Sequence, residues 1–527
     1  MSIPTSPAAP AASLARRIAL AALLIAVGNI ASRVLGLARE SVIAGAFGAS
    51  AAIDSFTAAS AIPTTLYDLL ISGAISAALV PVFSEYAEGD EREFWRVAST
   101  VINLALLVIV GVTALLIWQA PLAVTVLAGG FRDATRDQTI QMARLLLPAV
   151  IFMALSGLIT ALLYARQRFL LPAFTTSAYN SGIILGALLL TPLLGPFSLV
   201  VGVLLGAALQ VLLQLPGLRG MSYRPLIDLR HPGVRRILRL YAPVALGIGF
   251  SICGTVLDRN LASRLGESAL SIMRFATTLI QFPLGLVAAA VSFAVLPTLS
   301  RQAGAGDDEA FRTTLAMGIK VVLLLILPAA AGLAALSSPI TAAIFQRGKF
   351  DAADTAAVAR ALLLYLPGLP AAAVDQMLLF AFYAHQRTLA PNLVQGAAVA
   401  IYAATALTLL SMNLGVGALI LGNSAQWIGH LLILLLLSRG LVSLRGLRLG
   451  EALLKSLLAS LAMALAAWWL ASALQPYGGA LLRLALAGGA AVVVYFGLCL
   501  LLRVEALDFF VAAVLRRVRA RRQAPGS

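Results

Sequence analysis

"YARQRFLLP", residues 164–172, returns 219 residues later as "YAHQRTLAP", residues 383–391. Around these two copies the agreement continues at nearly the same spacing. "LLLP" at 145–148 is matched by "LYLP" at 364–367, and "LVPVFS" at 79–84 by "VLPTLS" at 295–300. Each of the last pair leads into an acidic loop and then an aromatic–arginine step, Phe94-Trp95-Arg96 in one copy and Phe311-Arg312 in the other. Several matches held at one offset of 216–219 residues mark a duplicated unit.

The repeat is written in an apolar alphabet. Of 527 residues, 61% are hydrophobic and only 11% charged, with a mean hydropathy of +0.95. Those values exclude a soluble domain. Apolar runs of about 20 residues, each long enough to cross ~30 Å of hydrocarbon, recur along the whole chain. A β-barrel would instead show alternating segments of about ten residues. About fourteen spans can be placed, the first beginning near Ile18 and the last near Leu481. The expected fold is therefore an all-α polytopic membrane protein: two six-helix lobes related by pseudo-twofold symmetry, plus two C-terminal helices. Six is an even number, so both copies insert the same way up about an axis along the membrane normal, and such transporters place the substrate between the halves.

The expected boundaries are an N-terminal tail at 1–17, a first lobe at 18–218 and a basic linker at 219–233. A second lobe follows at 234–440, two additional helices at 441–503 and a basic tail at 504–527. No connection is long enough for a soluble catalytic module. Arg16 and Arg17 before an apolar run resemble a signal peptide, but the run continues into a charged helix and further spans, so it reads as an uncleaved first helix.

A net charge of +16 raises the question of nucleic acid. Its distribution answers no. The basic residues fall in short loops and in the tail "LRRVRARRQ". Alternate connections hold roughly twenty basic residues on one side against about five on the other, which puts both termini in the cytoplasm, against anionic lipid headgroups. Cys253 and Cys499 lie in apolar surroundings far apart and read as core residues. The three histidines, His231, His385 and His430, are scattered. There is no glycine-rich phosphate loop ending in Lys-Ser/Thr, no metal-ligand spacing and no specific nucleophile–base set. A cofactor-free transporter rather than an enzyme is expected, coupled to the membrane potential or an ion gradient.

Against this background "SRVLGLARE", residues 32–40, is out of place. Arg33 falls near mid-depth of the first span, where a charge costs about 2.5–3.5 kcal/mol and normally faces a bundle interior or a wet cavity. Arg33, Gly36 and Glu40 share one helix face, with Arg39 about 120° away; Gly36 leaves room for a second helix. Alternatively, Arg39 and Glu40 end the helix and snorkel to the interface. Asp54 opens the second span, as a binding residue or as a helix N-cap. Asp68 and Asp375 are lone carboxylates open to structural pairing or ligand contact. In the second copy Asp258 and Arg259 interrupt the seventh span and Arg274 lies on the eighth. Guanidiniums facing a cavity suit a diphosphate through bidentate bonds. For Arg259 and Arg274, salt bridges to Asp258 or other acids are the alternative.

"SRVLGLARE", "FGASAAIDSF", "SGAISAALVPVFSEY", "RQRFLLPAF", "LYAPVALG" and "IFQRGKFDAADTAAVARALLLY", in this order, resemble the MurJ/MviN lipid II flippases. These belong to the multidrug/oligosaccharidyl-lipid/polysaccharide exporter superfamily. The resemblance runs from about residue 18 to beyond 440. It implies two lobes around a central cavity and two extra helices forming a groove for a polyprenyl tail. It also implies a bacterial plasma-membrane protein that moves undecaprenyl-diphosphate-linked peptidoglycan precursor outward by alternating access. Its partners would be that lipid-linked glycan, membrane lipids and the cell-wall synthesis machinery.

By position, Arg33 and Arg39 match the family's two first-helix arginines. Glu40 stands where an aspartate is usual, and Asp54 matches an acidic residue before the second span. Asp258 resembles an aspartate proposed to bind a cation in some members. The chain departs from the pattern at "TTLYDLL", where Tyr67 and Asp68 replace arginine. It departs again at "FATTLIQFP", where Thr278 and Gln281 replace the charges of "YAxRLxExP". Arg274, one turn before Thr278, can return a guanidinium to that region. The expected binding set is Arg33, Arg39, Glu40, Asp54, Arg259 and Arg274. Other readings are a flippase for another polyprenyl-diphosphate-linked oligosaccharide, or a scaffold in which the arginines are dispensable. A multidrug exporter fits less well, because a cationic cavity repels cationic drugs.

Overall fold

The computed structural model describes residues 9–220, 222–387, 389–476 and 479–508, and these are helical with no strand. They fall into two compact units. The first takes the chain to Ile252 except for Phe47–Ser50; those four residues and everything from Cys253 onward form the second.

The first unit contains α1 (Ala9–Phe47), α2 (Ala51–Tyr67), α3 (Val80–Ala87), α4 (Glu91–Trp118) and α5 (Ala120–Ala128). It continues with α6 (Asp133–Leu146), α7 (Ala149–Ala165), α8 (Leu170–Ala173), α9 (Thr175–Leu194), α10 (Phe197–Gln214) and most of α11 (Pro232–Ala262). Two π turns, Asp68–Ser72 and Ile75–Leu79, join α2 to α3 as one composite helix. The second unit contains α12 (Ala269–Pro283), a π turn at Leu284–Ala288, α13 (Ala289–Ala305), α14 (Asp308–Ala335) and α15 (Ser337–Phe345). After these come α16 (Ala352–Tyr365), α17 (Leu369–Ala384), α18 (Leu389–Ser411), α19 (Val416–Ser438), α20 (Leu449–Ala473) and α21 (Ala480–Leu501).

The duplication is visible element by element. α4 and α14 are both 28 residues, α5 and α15 both 9, and α6 and α16 both 14. The acidic loops of the repeat are helix caps: Asp90 accepts from the Arg92 amide and Asp307 from the Ala310 amide, each at 3.0 Å. The repeated "YAxQR" is a helix stop. Gln167 and Gln386 adopt left-handed φ of 57° and 58°. The residue before each reaches back to an aromatic near the start of α4 or α14. Arg166 lies 4.7 Å over the Phe94 ring, and His385 packs edge-on against Phe311 at 4.6 Å.

Twelve helices among the described residues are long and apolar enough to cross a bilayer. Two of these spans, Asp133–Ala165 and Ala352–Ala384, are pairs of shorter helices joined near a proline. α1 and the composite α2–α3 helix are two further long helices among the described residues.

Several boundaries differ from the sequence reading. α1 begins at Ala9, inside the stretch expected to be a tail, and residues 1–8 lie outside the described residues. α11 is one helix, so the division between units falls within it rather than in the basic connection at 219–233. The reason is packing: Val234, Ile237 and Tyr241 of α11 join the apolar core of the first unit. Glu505, at the start of the expected basic tail, is bonded at 2.6 Å to Lys320, whose side chain is 6% exposed. A buried ammonium needs such a partner. The tail arginines from Arg516 onward lie outside the described residues. Cys499 is buried as expected, but Cys253 is exposed on α11.

α9 and α10 pack through two Gly-x-x-x-Gly pairs, Gly182 and Gly186 against Gly202 and Gly206. A Cβ at Gly182 would meet the Gly206 backbone, and one at Gly206 the Tyr179 carbonyl. Such stripes let backbones touch where lipid supplies no hydrophobic drive between helices. Gly206→Val is therefore expected to destabilise the folded protein by about 1–3 kcal/mol, read as a lower thermal midpoint in detergent. Gly488→Ala, which faces open space, should leave the midpoint unchanged or slightly raised.

Candidate functional site

The charges of the first unit centre on α1. Glu40 is 1% exposed, and a carboxylate so placed must be compensated. Arg39 does this by curling back along its own helix, donating from Nε at 3.0 Å and Nη2 at 2.6 Å to Glu40 Oε1. Its Nη1 donates to Asn180 Oδ1 of α9 at 2.9 Å, and Asn180 Nδ2 donates to the Ser32 carbonyl at 3.1 Å. Asn180 Nδ2 lies 3.7 Å from where a Cβ at Gly36 would stand, an ordinary contact distance, so the amide packs directly over this position. The side chain of Arg39 is 24% exposed and tied into the protein, so the snorkelling alternative does not hold for this pair. Arg33 is half-buried less than two turns earlier. Asp54 is 1% exposed in the first turn of α2, where a carboxylate complements the positive end of the helix dipole. The helix starts at Ala51, so Asp54 is inside it and not its cap.

Adjoining Ser32 is a cavity of about 360 Å³. Asn29 and Ser32 of α1, Tyr67 and Asp68 of the composite helix, Tyr164 of α7 and Gln210 of α10 give it polar walls. Asp68 is thus a cavity residue. The chamber was not foreseen, because its lining comes from helices far apart in sequence.

In the second unit Asp258 is not paired with its neighbour Arg259. Its Oδ1 accepts from Tyr402 Oη of α18 at 2.7 Å and from Asn423 Nδ2 of α19 at 3.1 Å. Arg259 has no ion pair among the described residues, and its Nε is buried without a hydrogen-bond partner there. Among the described residues no group of three or more His, Cys, Asp or Glu could hold a metal. The partners of the cation candidate Asp258, which the sequence left open, are a phenol and an amide. Arg274 is half-buried on α12, and its carbonyl accepts from the hydroxyls of Thr277 at 2.9 Å and Thr278 at 3.0 Å. The Thr278 hydroxyl is thereby turned onto its own helix, and Gln281 is exposed. Asp375 takes the structural alternative, 2.7 Å from His430 Nδ1. Arg33 and Arg39 belong to the first unit, Arg259 and Arg274 to the second.

Asn180, Tyr402 and Asn423 escaped the sequence reading. Their signal was present as polar side chains inside apolar spans, where such groups face other helices.

Residues 43–487 match the family model described as "Lipid II flippase MurJ". The chain belongs to the MurJ family. "Lipid II flippase MurJ" of Burkholderia cenocepacia is 35% identical over 374 residues, covering 68% of this chain and 72% of that one. "Probable lipid II flippase MurJ" of Bdellovibrio bacteriovorus is 30% identical over 507 residues, covering 94% and 96%. A solved "Lipid II flippase MurJ, inward closed conformation" superposes with a TM-score of 0.79 at 24% identity, over 91% of this chain and 99% of that one. An inward-facing MATE family transporter of the MOP superfamily gives 0.64 at 14% identity, over 81% and 98%. The two structures establish the polytopic fold of this MurJ-family chain.

The α1 network generates a direct expectation. Glu40→Gln should lower stability by about 1–3 kcal/mol by leaving Arg39 undercompensated. Asn180→Ala should cost less, and the double variant should fall short of the sum because both residues hold one guanidinium. Thermal unfolding of the three variants checks this.

Proposed function

We propose that this chain carries lipid II from the cytoplasmic to the outer leaflet of a bacterial plasma membrane. The observation that carries the reading is Arg39, fixed by Glu40 and Asn180 in an otherwise apolar bundle of a MurJ-family chain. A guanidinium already oriented by two partners spends little entropy when it meets an anion. In the first unit Arg33 and Arg39 meet the diphosphate; in the second unit Arg259 and Arg274 are the guanidiniums available to an anion. Glu40 holds Arg39 in place, and Glu40 and Asp54 are the acidic members of the substrate-binding set. The unpartnered Nε of Arg259 supports its share in this role, since a buried donor without an acceptor is costly until a ligand supplies one. The polar chamber beside Ser32 suits the sugar and amide groups of the headgroup, while the polyprenyl tail stays in lipid.

Transport then needs no covalent step. Alternating access moves the bound headgroup from one side to the other, driven by the membrane potential or an ion gradient. Both termini lie in the cytoplasm, a reading supported by the asymmetry of basic residues between alternate connections.

The test is replacement of the native lipid II flippase by this chain in a depletion strain. Wild type should restore growth and shape. Arg39→Ala, inserted and expressed at the normal level, should lose at least tenfold in flipping, and Arg39→Lys should recover only part, because an ammonium cannot form the bidentate pair. Arg274→Ala should also impair flipping if the cationic contact of the eighth span has moved by one turn. Failure of the well-inserted wild type to rescue would direct the search to another polyprenyl-diphosphate-linked oligosaccharide.

A further inference from the structure

The first unit carries a second cavity, of about 420 Å³ and almost wholly apolar. Its floor is the side of α4 from Val101 to Ile109, about 12 Å of helix at 1.5 Å per residue. One wall is the first π turn and its neighbours, Leu70, Ile71 and Ala74; the other is Val234, Ile237, Leu238 and Tyr241 of α11. The groove is open at its rim, where Val108, Leu229 and Leu238 are 42%, 53% and 52% exposed. It is not the polar chamber beside α1, and nothing in the transport reading uses it.

Charge gathers at one end. Asn103 Nδ2 donates to the carbonyl of Leu226 at 2.9 Å, and the Asp228 amide donates to Thr100 Oγ1 at 3.3 Å. These bonds lay the arginine-rich connection along the start of α4, beside the groove residue Leu229. Two arginines there are neutralised, Arg96 by Asp228 at 2.8 Å and Arg236 by Glu85 at 2.6 Å. Arg235 and Arg239 are different. They flank the rim residue Leu238 on α11, are exposed, and have no ion pair among the described residues. In the groove wall the Tyr241 hydroxyl is buried with no hydrogen-bond partner among the described residues.

We propose that this groove is a binding site for an anionic glycerophospholipid. An acyl chain fills the apolar trough, the phosphate meets Arg235 and Arg239, and an ester carbonyl accepts from the Tyr241 hydroxyl. Each part answers a separate feature: apolar volume on the scale of a ligand pocket, unpaired exposed cations next to the rim residue Leu238, and an orphan donor in the groove wall. A zwitterionic lipid brings its own ammonium and gains less from the two arginines. A polyprenyl chain carries no ester carbonyl for Tyr241.

The full-length protein is placed in nanodiscs with trace phosphatidylglycerol or phosphatidylcholine bearing a photoreactive acyl chain, and labelled peptides are mapped by mass spectrometry. The phosphatidylglycerol probe should label α4 between Val101 and Ile109 and α11 between Val234 and Tyr241. It should exceed the phosphatidylcholine probe by about fivefold per arginine. Arg235→Gln with Arg239→Gln should level the two probes without moving the thermal midpoint. Ala105→Trp, which fills the trough, should abolish labelling; Val108→Trp at the exposed rim serves if the first variant does not fold. Equal labelling by both probes, labelling only outside the groove, or displacement by undecaprenyl phosphate but not by unlabelled phosphatidylglycerol would overturn the proposal. None of these readouts involves transport, so failure of this site and failure of the flippase reading are separable.

Discussion

A guanidinium placed among apolar helices must be held by something, and in this molecule the holding defines the site. Glu40 is buried, Arg39 bends back to it, and Asn180 of α9 completes the set while tying itself to the α1 backbone at Ser32. Removing charge from water is expensive, so such a group persists only where the surrounding bonds fix its direction. The missing side chain at Gly36 belongs to the same arrangement. Asn180 packs over this position at ordinary contact distance, and its one amide serves both the guanidinium and the helix. The second unit solves a related problem differently. Asp258 is satisfied by a phenol and an amide, both neutral, and its neighbour Arg259 is left with a donor to spare.

The same economy explains the supports around these groups. Lys320 is buried in α14 and is met by Glu505 from beyond α21. Asp375 is met by His430 across two spans. The apolar framework between them is assembled by close contact: glycine on glycine between α9 and α10, and a cation or imidazole on an aromatic ring where the repeat motif ends each copy's long hairpin.

Much of this was legible in the amino-acid order. Long apolar runs and the matched "YAxQR" segments gave helix number and duplication, because lipid demands runs of about 20 residues and a helix stop needs particular residue types. The acidic loops were visible as motifs, and the structure explains them as caps at Asp90 and Asp307. What could not be read was the choice of partner. Adjacent Asp258 and Arg259 invite pairing on paper, yet a helix points neighbours about 100° apart, and Tyr402 and Asn423 reach the carboxylate from other helices. Arg39 and Glu40 are also adjacent and do pair, because Arg39 is long enough to bend. Asn180, 141 residues from Arg39, carries no mark beyond being polar in an apolar span. The division of the chain within α11 was hidden because the basic connection before it looks like a linker by composition, while the apolar face of the next two turns packs on the first unit.

The π turns bear on the duplication. Asp68–Ser72 and Leu284–Ala288 interrupt equivalent helices at the same register, yet "DLLIS" and "LGLVA" have little composition in common. A backbone irregularity found at one register in both copies, on different side chains, belongs to the repeated helix as a whole and not to a particular residue. What the two copies share there is a widened turn of the main chain, while four of its five side chains differ.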